Sequence, residues 1–281
     1  MAWLLQNLPW SNGRSDMVEF QRLAAACVAA AALLVGGAAS AAPRHMELAG
    51  TKFAVDGSCA KQVTISPDAA LSGHVVVDAS ADHPEEMAQL VLEDRHDAAT
   101  LHGPRNGCWQ AGGFWGFSPT MVITVHVPTG MPISLDESGG VEYTIGAVGG
   151  PLALDLSGGV RLQAEHATTL AIDVSGGAEI TVDRVEGALT GDLSGGSNIT
   201  LHHATVSAMT LDLSGGGDFT IGDGHIGALK LDVSGGGQIQ IGASVGDAHV
   251  DVSGAGQVNI AHVTGTLSKD VSGAGEVNVG Q

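Results

Sequence analysis

Eight aspartates stand two residues before eight serines, and a glycine follows each serine. The aspartates are Asp136, Asp155, Asp173, Asp192, Asp212, Asp232, Asp251 and Asp270; the serines are Ser138, Ser157, Ser175, Ser194, Ser214, Ser234, Ser253 and Ser272. Three chemistries are open to such a set. A serine can be a nucleophile, but that needs a positioned base and an oxyanion site, and eight equal copies do not describe one active centre. A row of carboxylates can bridge Ca²⁺ between neighbours, with Asp155, Asp173, Asp192, Asp212, Asp232, Asp251 and Asp270 as the ladder. The third is local: the aspartate accepts hydrogen bonds from N–H groups two and three residues on, as in an Asx-turn. The glycine would then supply a positive φ at a sharp corner. The one-to-one pairing of aspartate with Ser-Gly favours the local reading, with no catalytic residue and no cofactor.

Other reactive types are sparse. Among the twelve histidines, only His96 stands at Glu-x-x-His spacing, from Glu93, and none belongs to a tight Cys/His cluster. His203 and Asp223 both lie nine residues after their serines, and Asp183 and His202 both lie eight after theirs. Such pairs read as surface neighbours on adjacent repeats rather than as a zinc site. Trp109, Phe114, Trp115 and Phe117 form the aromatic cluster of the mature chain. Exposed, they would be a glycan platform; buried, they would cover the open end of a repeat stack.

The elements that carry the aspartates repeat with them. Successive serines are 19, 18, 19, 20, 20, 19 and 19 residues apart. The residue after the aspartate is Leu or Val in every copy but the first, which has Glu137. In seven of the eight copies the residue three before the aspartate is large and apolar: Ile133, Leu152, Leu170, Leu189, Met209, Leu229 or Leu267. Odd offsets share one strand face, so the apolar residues point in and the aspartate out. Apolar pairs follow at five and seven residues past the serine, such as Phe219/Ile221 and Ile239/Ile241, with Thr, Gln or Asn between them. A looser apolar position recurs at Val185, Val206, Ile226, Val245 and Val263. One such unit cannot bury its own apolar face, but a stack can. The expected fold is all-β: a single-stranded parallel β-helix, right-handed, with about eight coils of 18–20 residues. Antiparallel hairpins, which Gly-rich turns also suit, are the competing arrangement.

Residues 122–281 are the repeat domain, and residues 42–121 an all-β lead-in that shares its core. Strand patterns there are KFAVDG, KQVTIS, HVVVDAS and QLVLEDR, with a short helix near Pro84–Leu92. Residues 1–41 read as a signal peptide: Arg22, an apolar run, then Ala39-Ser40-Ala41, with cleavage between Ala41 and Ala42. Met17 is a possible true start. No later segment is apolar enough to span a membrane. In an exported chain, the remaining Cys59 and Cys108 are expected to form a disulfide. A net charge of −19 argues against nucleic acid and anionic membrane surfaces as partners.

The runs DLSGGGDFTIG, DVSGGGQIQIG, DVSGAGQVNIA and DVSGAGEVNVG resemble the head domain of autotransporter adhesins, also called the GIN domain. The resemblance covers Val122–Gln281 and implies an exported bacterial β-helix without catalytic residues. The expected function is that of a non-enzymatic, adhesin-like scaffold of the cell envelope, periplasmic or secreted. Its expected partners are a polysaccharide, an envelope protein, or another copy through the solenoid ends. The alternatives are a lyase-like, polysaccharide-acting β-helix enzyme and a calcium-dependent matrix protein.

Overall fold

The computed structural model describes residues 42–103 and 119–280. Among the described residues, alternating in–out patterns produce nineteen strands, joined by one short helix. The N-terminal part holds β1 (Arg44–Ala49), β2 (Lys52–Asp56), β3 (Gln62–Pro67), β4 (His74–Ser80), α1 (Pro84–Ala88), β5 (Val91–Arg95), β6 (Ala98–His102) and β7 (Val122–Val127). Then come β8 (Ile133–Glu137), β9 (Glu142–Ile145), β10 (Leu152–Leu156), β11 (Arg161–Ala167) and β12 (Leu170–Val174). Long bent strands follow: β13 (Glu179–Leu193), β14 (Asn198–Leu213), β15 (Asp218–Val233) and β16 (Gln238–Val252). The last are β17 (Gln257–Val263), β18 (Leu267–Val271) and β19 (Glu276–Val279).

The strands stack into a β-solenoid with two principal parallel ladders. The first carries the aspartate strands and runs β6–β2–β8–β10–β12–β13–β14–β15–β16–β18. The second follows the Ser-Gly corner and runs β7–β3–β9–β11–β13–β14–β15–β16–β17–β19. Every pairing within these ladders is parallel, so the hairpin arrangement is not adopted. The apolar positions read from the repeat line one continuous core, with Leu156, Val174, Leu193 and Val233 fully buried.

The stacking order departs from chain order at one level. The coil of β2 and β3 sits between the coil of β6 and β7 and the coil of β8 and β9. Residues 128–132 therefore step past an inserted coil to link β7 with β8. This inserted coil is a ninth copy of the repeat: Asp56 aligns with Asp136, and Ser58 lies two residues on. The N-terminal end is closed by antiparallel strands, β4 on β7, β1 on β4, and β5 on β6. Glu86 of α1 ties this layer to β7 by accepting from the Thr120 and Met121 N–H groups at 3.0 and 2.9 Å.

The corners are not made as expected. Where the Asx reading put the carboxylate, the N–H of the repeat serines from Ser157 to Ser272 instead donates to the preceding coil. Ser175, Ser194, Ser214 and Ser234 bond to Leu156, Val174, Leu193 and Leu213 carbonyls at 2.8–3.1 Å. The ladder thus continues through the turn and leaves the aspartates out of it. Nor do the repeat glycines generally hold a positive φ, Gly273 being the exception at +112°. Their role is close approach. A Cβ on Gly158, Gly176, Gly195, Gly215, Gly235 or Gly254 would collide with the carbonyl of the coil before it. The next residue has open space, and there the chain carries Ala255 and Ala274.

The last coil also differs from expectation. Leu267 and Val271, in inward columns, are 38% and 41% exposed. Lys269 takes the inward place that Val250 fills one coil earlier.

Candidate functional site

The outward side chains form columns, because the ladders place equivalent residues in register at about 4.8 Å per coil. On the first ladder, nine aspartates stand in line: Asp56 and then Asp136 through Asp270. His102 occupies the same place in the coil beyond Asp56. At that end the column is neutralised: His102 Nδ1 and Arg95 Nη1 lie 3.1 and 3.2 Å from Asp56 Oδ2. Asp251 meets His249 at 3.2 Å. The other column carboxylates, from Asp136 to Asp232 and at Asp270, make no hydrogen bond or ion pair with a described residue. Repulsion is felt within the column. The carboxyl of Asp136 is raised above the usual carboxylate range, first by burial, then by Asp155, Asp56 and Glu137.

A shallow hollow of about 310 Å³ lies between Asp173, Asp192 and Asp212, where Gly191 and Ala171 carry little bulk. The carboxylates do not converge on it as a chelate. Among the described residues no three His, Cys, Asp or Glu side chains are placed to hold an ion. Two neighbouring carboxylates would leave most of the oxygen ligands of a Ca²⁺ ion to other donors.

On the second ladder the column midway between the buried pairs is uncharged throughout. It reads Thr124, Thr64, Thr144, Gln163, Thr181, Thr200, Thr220, Gln240, Asn259 and Asn278. Within it, Asn278 donates to Asn259 at 3.2 Å. The column before it pairs Arg161 with Glu179 at 2.9 Å and Gln238 with Gln257 at 3.2 Å.

The histidine pairs read from the sequence are real contacts on a third side of the coils. His202 Nδ1 lies 2.9 Å from Asp183, and His203 pairs with Asp223 while its Nε2 lies 3.0 Å from Thr205. Each pair bridges consecutive coils, and each imidazole is spent on its partner rather than turned toward a common centre.

A buried polar centre surrounds Glu137. Glu137, the exception in the repeat, occupies an inward position at 1% exposure. Its Oε2 accepts from Ser58 N at 3.0 Å, Ser58 Oγ at 2.7 Å and Tyr143 OH at 2.9 Å. Burial, then the Glu137 carboxylate, holds the Tyr143 hydroxyl well above its ordinary range. The centre is enclosed and satisfied, and it fastens the inserted coil of β2 and β3 to the coil above it. Cys59 follows Ser58 at φ 51°, where the other copies have glycine. Cys108, the aromatic residues Trp109, Phe114, Trp115 and Phe117, and the cleavage residue Ala41 lie outside the described residues; Ala42 is exposed at their start.

Comparison with known proteins places this arrangement. The family described as "Putative auto-transporter adhesin, head GIN domain" matches residues 110–280. A putative adhesin from Parabacteroides distasonis is similar in structure, with a TM-score of 0.56 and 14% identity, over 85% of this chain and 97% of its own. A putative lipid binding protein from the same species has a TM-score of 0.50 and 11% identity, over 85% of this chain and 97% of its own. At these identities the likeness is one of fold. No curated protein matches the chain. Among the described residues no helix is long and apolar enough to cross a membrane.

Proposed function

The chain belongs to the auto-transporter adhesin head (GIN domain) family, and from that membership we propose that it is an exported, non-enzymatic binding scaffold. It works in the periplasm or outside the cell and presents its outer columns to a polysaccharide or an envelope protein. One observation carries this reading: two chemically uniform columns run along the stacked strands, one of nine carboxylates and one of ten neutral hydrogen-bonding groups. A surface of that kind is built for extended contact, whereas a catalytic centre needs different groups converging on one point.

The arrangement of basic groups supports the same reading over lyase chemistry, in which a base takes a proton from the sugar. Arg161 is paired with Glu179, and Arg184 and Lys230 stand on different strands. Calcium dependence finds less support, since the column offers pairs of carboxylates but no larger group.

The test is a glycan array probed with the mature protein, with and without Ca²⁺, beside fractionation of expressing cells. Retention on a set of glycans, with the protein outside the cytoplasm, is the expected result. Release of unsaturated sugars from an acidic polysaccharide would overturn the non-enzymatic reading. A melting temperature that rises with Ca²⁺ and falls with chelator would revive the matrix-protein alternative.

A further inference from the structure

The neutral column on the second ladder differs from the outward columns on either side of it, which carry charged residues. It is ten residues long, from Thr124 to Asn278, and holds only Thr, Gln and Asn. At about 4.8 Å per coil it extends roughly 43 Å. This uniformity stands in a chain of net charge −19, whose neighbouring columns carry Glu142, Glu179 and Asp218 on one side and Glu165 and Asp183 on the other. Its groups are also idle. Apart from the Asn278–Asn259 bond, none of its side chains hydrogen-bonds to a described residue. The backbone beneath is consumed by the parallel ladders, so a partner meets side chains only. Each threonine offers a hydroxyl that both donates and accepts, beside a methyl group.

We infer that this column is a docking track for a linear, uncharged polysaccharide lying along the solenoid axis. The inference rests on the scaffold reading above and names its face and ligand class. Charge selects the ligand. Anionic polymers are repelled by the protein's net charge, and cationic ones are drawn to the unpaired aspartates on the other ladder. What fits a strip of neutral donors, acceptors and methyl groups is a chain of the same character, with hydroxyls on its edges and C–H groups on its ring faces. A polymer with one sugar per coil meets the same chemistry at each step, so weak contacts sum along the track.

The experiment is affinity electrophoresis of the mature protein through gels containing dextran, mixed-linkage β-glucan, galactomannan or polygalacturonate. Retardation by at least one neutral polymer, and none by polygalacturonate, is expected. The double variant Thr200→Glu/Thr220→Glu places charge in mid-track, on outward positions that leave the core alone. It should bind at least tenfold more weakly at an unchanged melting temperature. Asp212→Asn/Asp232→Asn, on the other ladder, should bind as the parent does. Glycan binding that survives in the threonine variant, or that is lost in the aspartate variant, overturns the track while leaving the scaffold reading intact. Self-association abolished by the threonine variant assigns the face to a second copy and also overturns it. Failure to retard in every neutral polymer removes the inference outright; the array then decides the scaffold reading separately.

Discussion

Replacing Gly215 by alanine, and separately replacing its neighbour Gly216, separates two explanations of the repeat. If the glycines serve unusual backbone angles, both changes should harm. If they serve close approach of coils, only one should. A Cβ on Gly215 would lie against the Gly195 carbonyl, closer than the 3.0 Å that such atoms keep, whereas one on Gly216 meets nothing within 4 Å. To accept the added methyl of Gly215→Ala, the two coils must part locally. That weakens the bonds from Ser214 N to Leu193 O at 2.9 Å and from Gly216 N to Gly195 O at 3.2 Å. Two such bonds contribute about 1 kcal/mol each, and overpacking costs about 1–3 kcal/mol more. The expected loss is about 3–5 kcal/mol, a fall in melting temperature on the order of 10 °C for a domain of this size. Gly216→Ala should instead gain about 0.4–1 kcal/mol by restricting the unfolded chain. Thermal and urea unfolding measure both. Equal harm from the two substitutions, or none from Gly215→Ala, would refute the close-approach argument.

Three further outcomes are expected. Asp136→Asn should raise the melting temperature at neutral pH and converge with the parent in acid. The raised carboxyl of Asp136 favours the fold below the usual carboxylate range, and that benefit is lost as pH rises through its folded value. At a solvent-screened site the effect should stay under about 1 kcal/mol. Ser58→Ala or Tyr143→Phe removes a donor from buried Glu137 and should cost about 1–3 kcal/mol by urea unfolding, with a triple variant also carrying Glu137→Leu losing less than the sum. Peptide mapping without reduction should recover Cys59 joined to Cys108; the loop between them sets the stabilisation at about 4 kcal/mol, and a free thiol at Cys108 would sink the bridge.

The repeat region is legible in the sequence because each inward position recurs at nearly constant spacing, and the core leaves those residues little choice. Every Leu or Val read as inward from β8 through β16 is buried. The inserted coil escapes the spacing pattern for a physical reason. Asp56 and Ser58 carry the motif, Phe53 stands three residues before the aspartate, and Val63 and Ile65 lie five and seven past the serine. But Gly57 and Cys59 replace the usual residues, and eighty residues separate Ser58 from Ser138, so the period is broken. Stacking out of chain order leaves no trace in a spacing pattern. Of the antiparallel closing strands, β4 and β5 read as strands, while β1 and β6 have too little alternation to announce themselves. The Asx and positive-φ readings fail together, because both treat the corner as an isolated turn. In a stack, the corner's N–H groups already have acceptors one coil away.

The aspartates then need a different explanation. Leu and Val after the aspartate are demanded by the core, and the glycine by the distance between coils. Neither the aspartate nor the serine is demanded by the corner, since the serine N–H bonds across the ladder. Yet the aspartate recurs nine times in register, and at Asp136 the neighbouring carboxylates add to burial in raising the carboxyl. A flat sheet face without charge is prone to stack on its own kind, and a column of like charges prevents this without any ligand. On that argument the carboxylate column keeps one face of the solenoid clear of other solenoids and of anionic polymers. The neutral column on the adjoining ladder is then the face left open to contact.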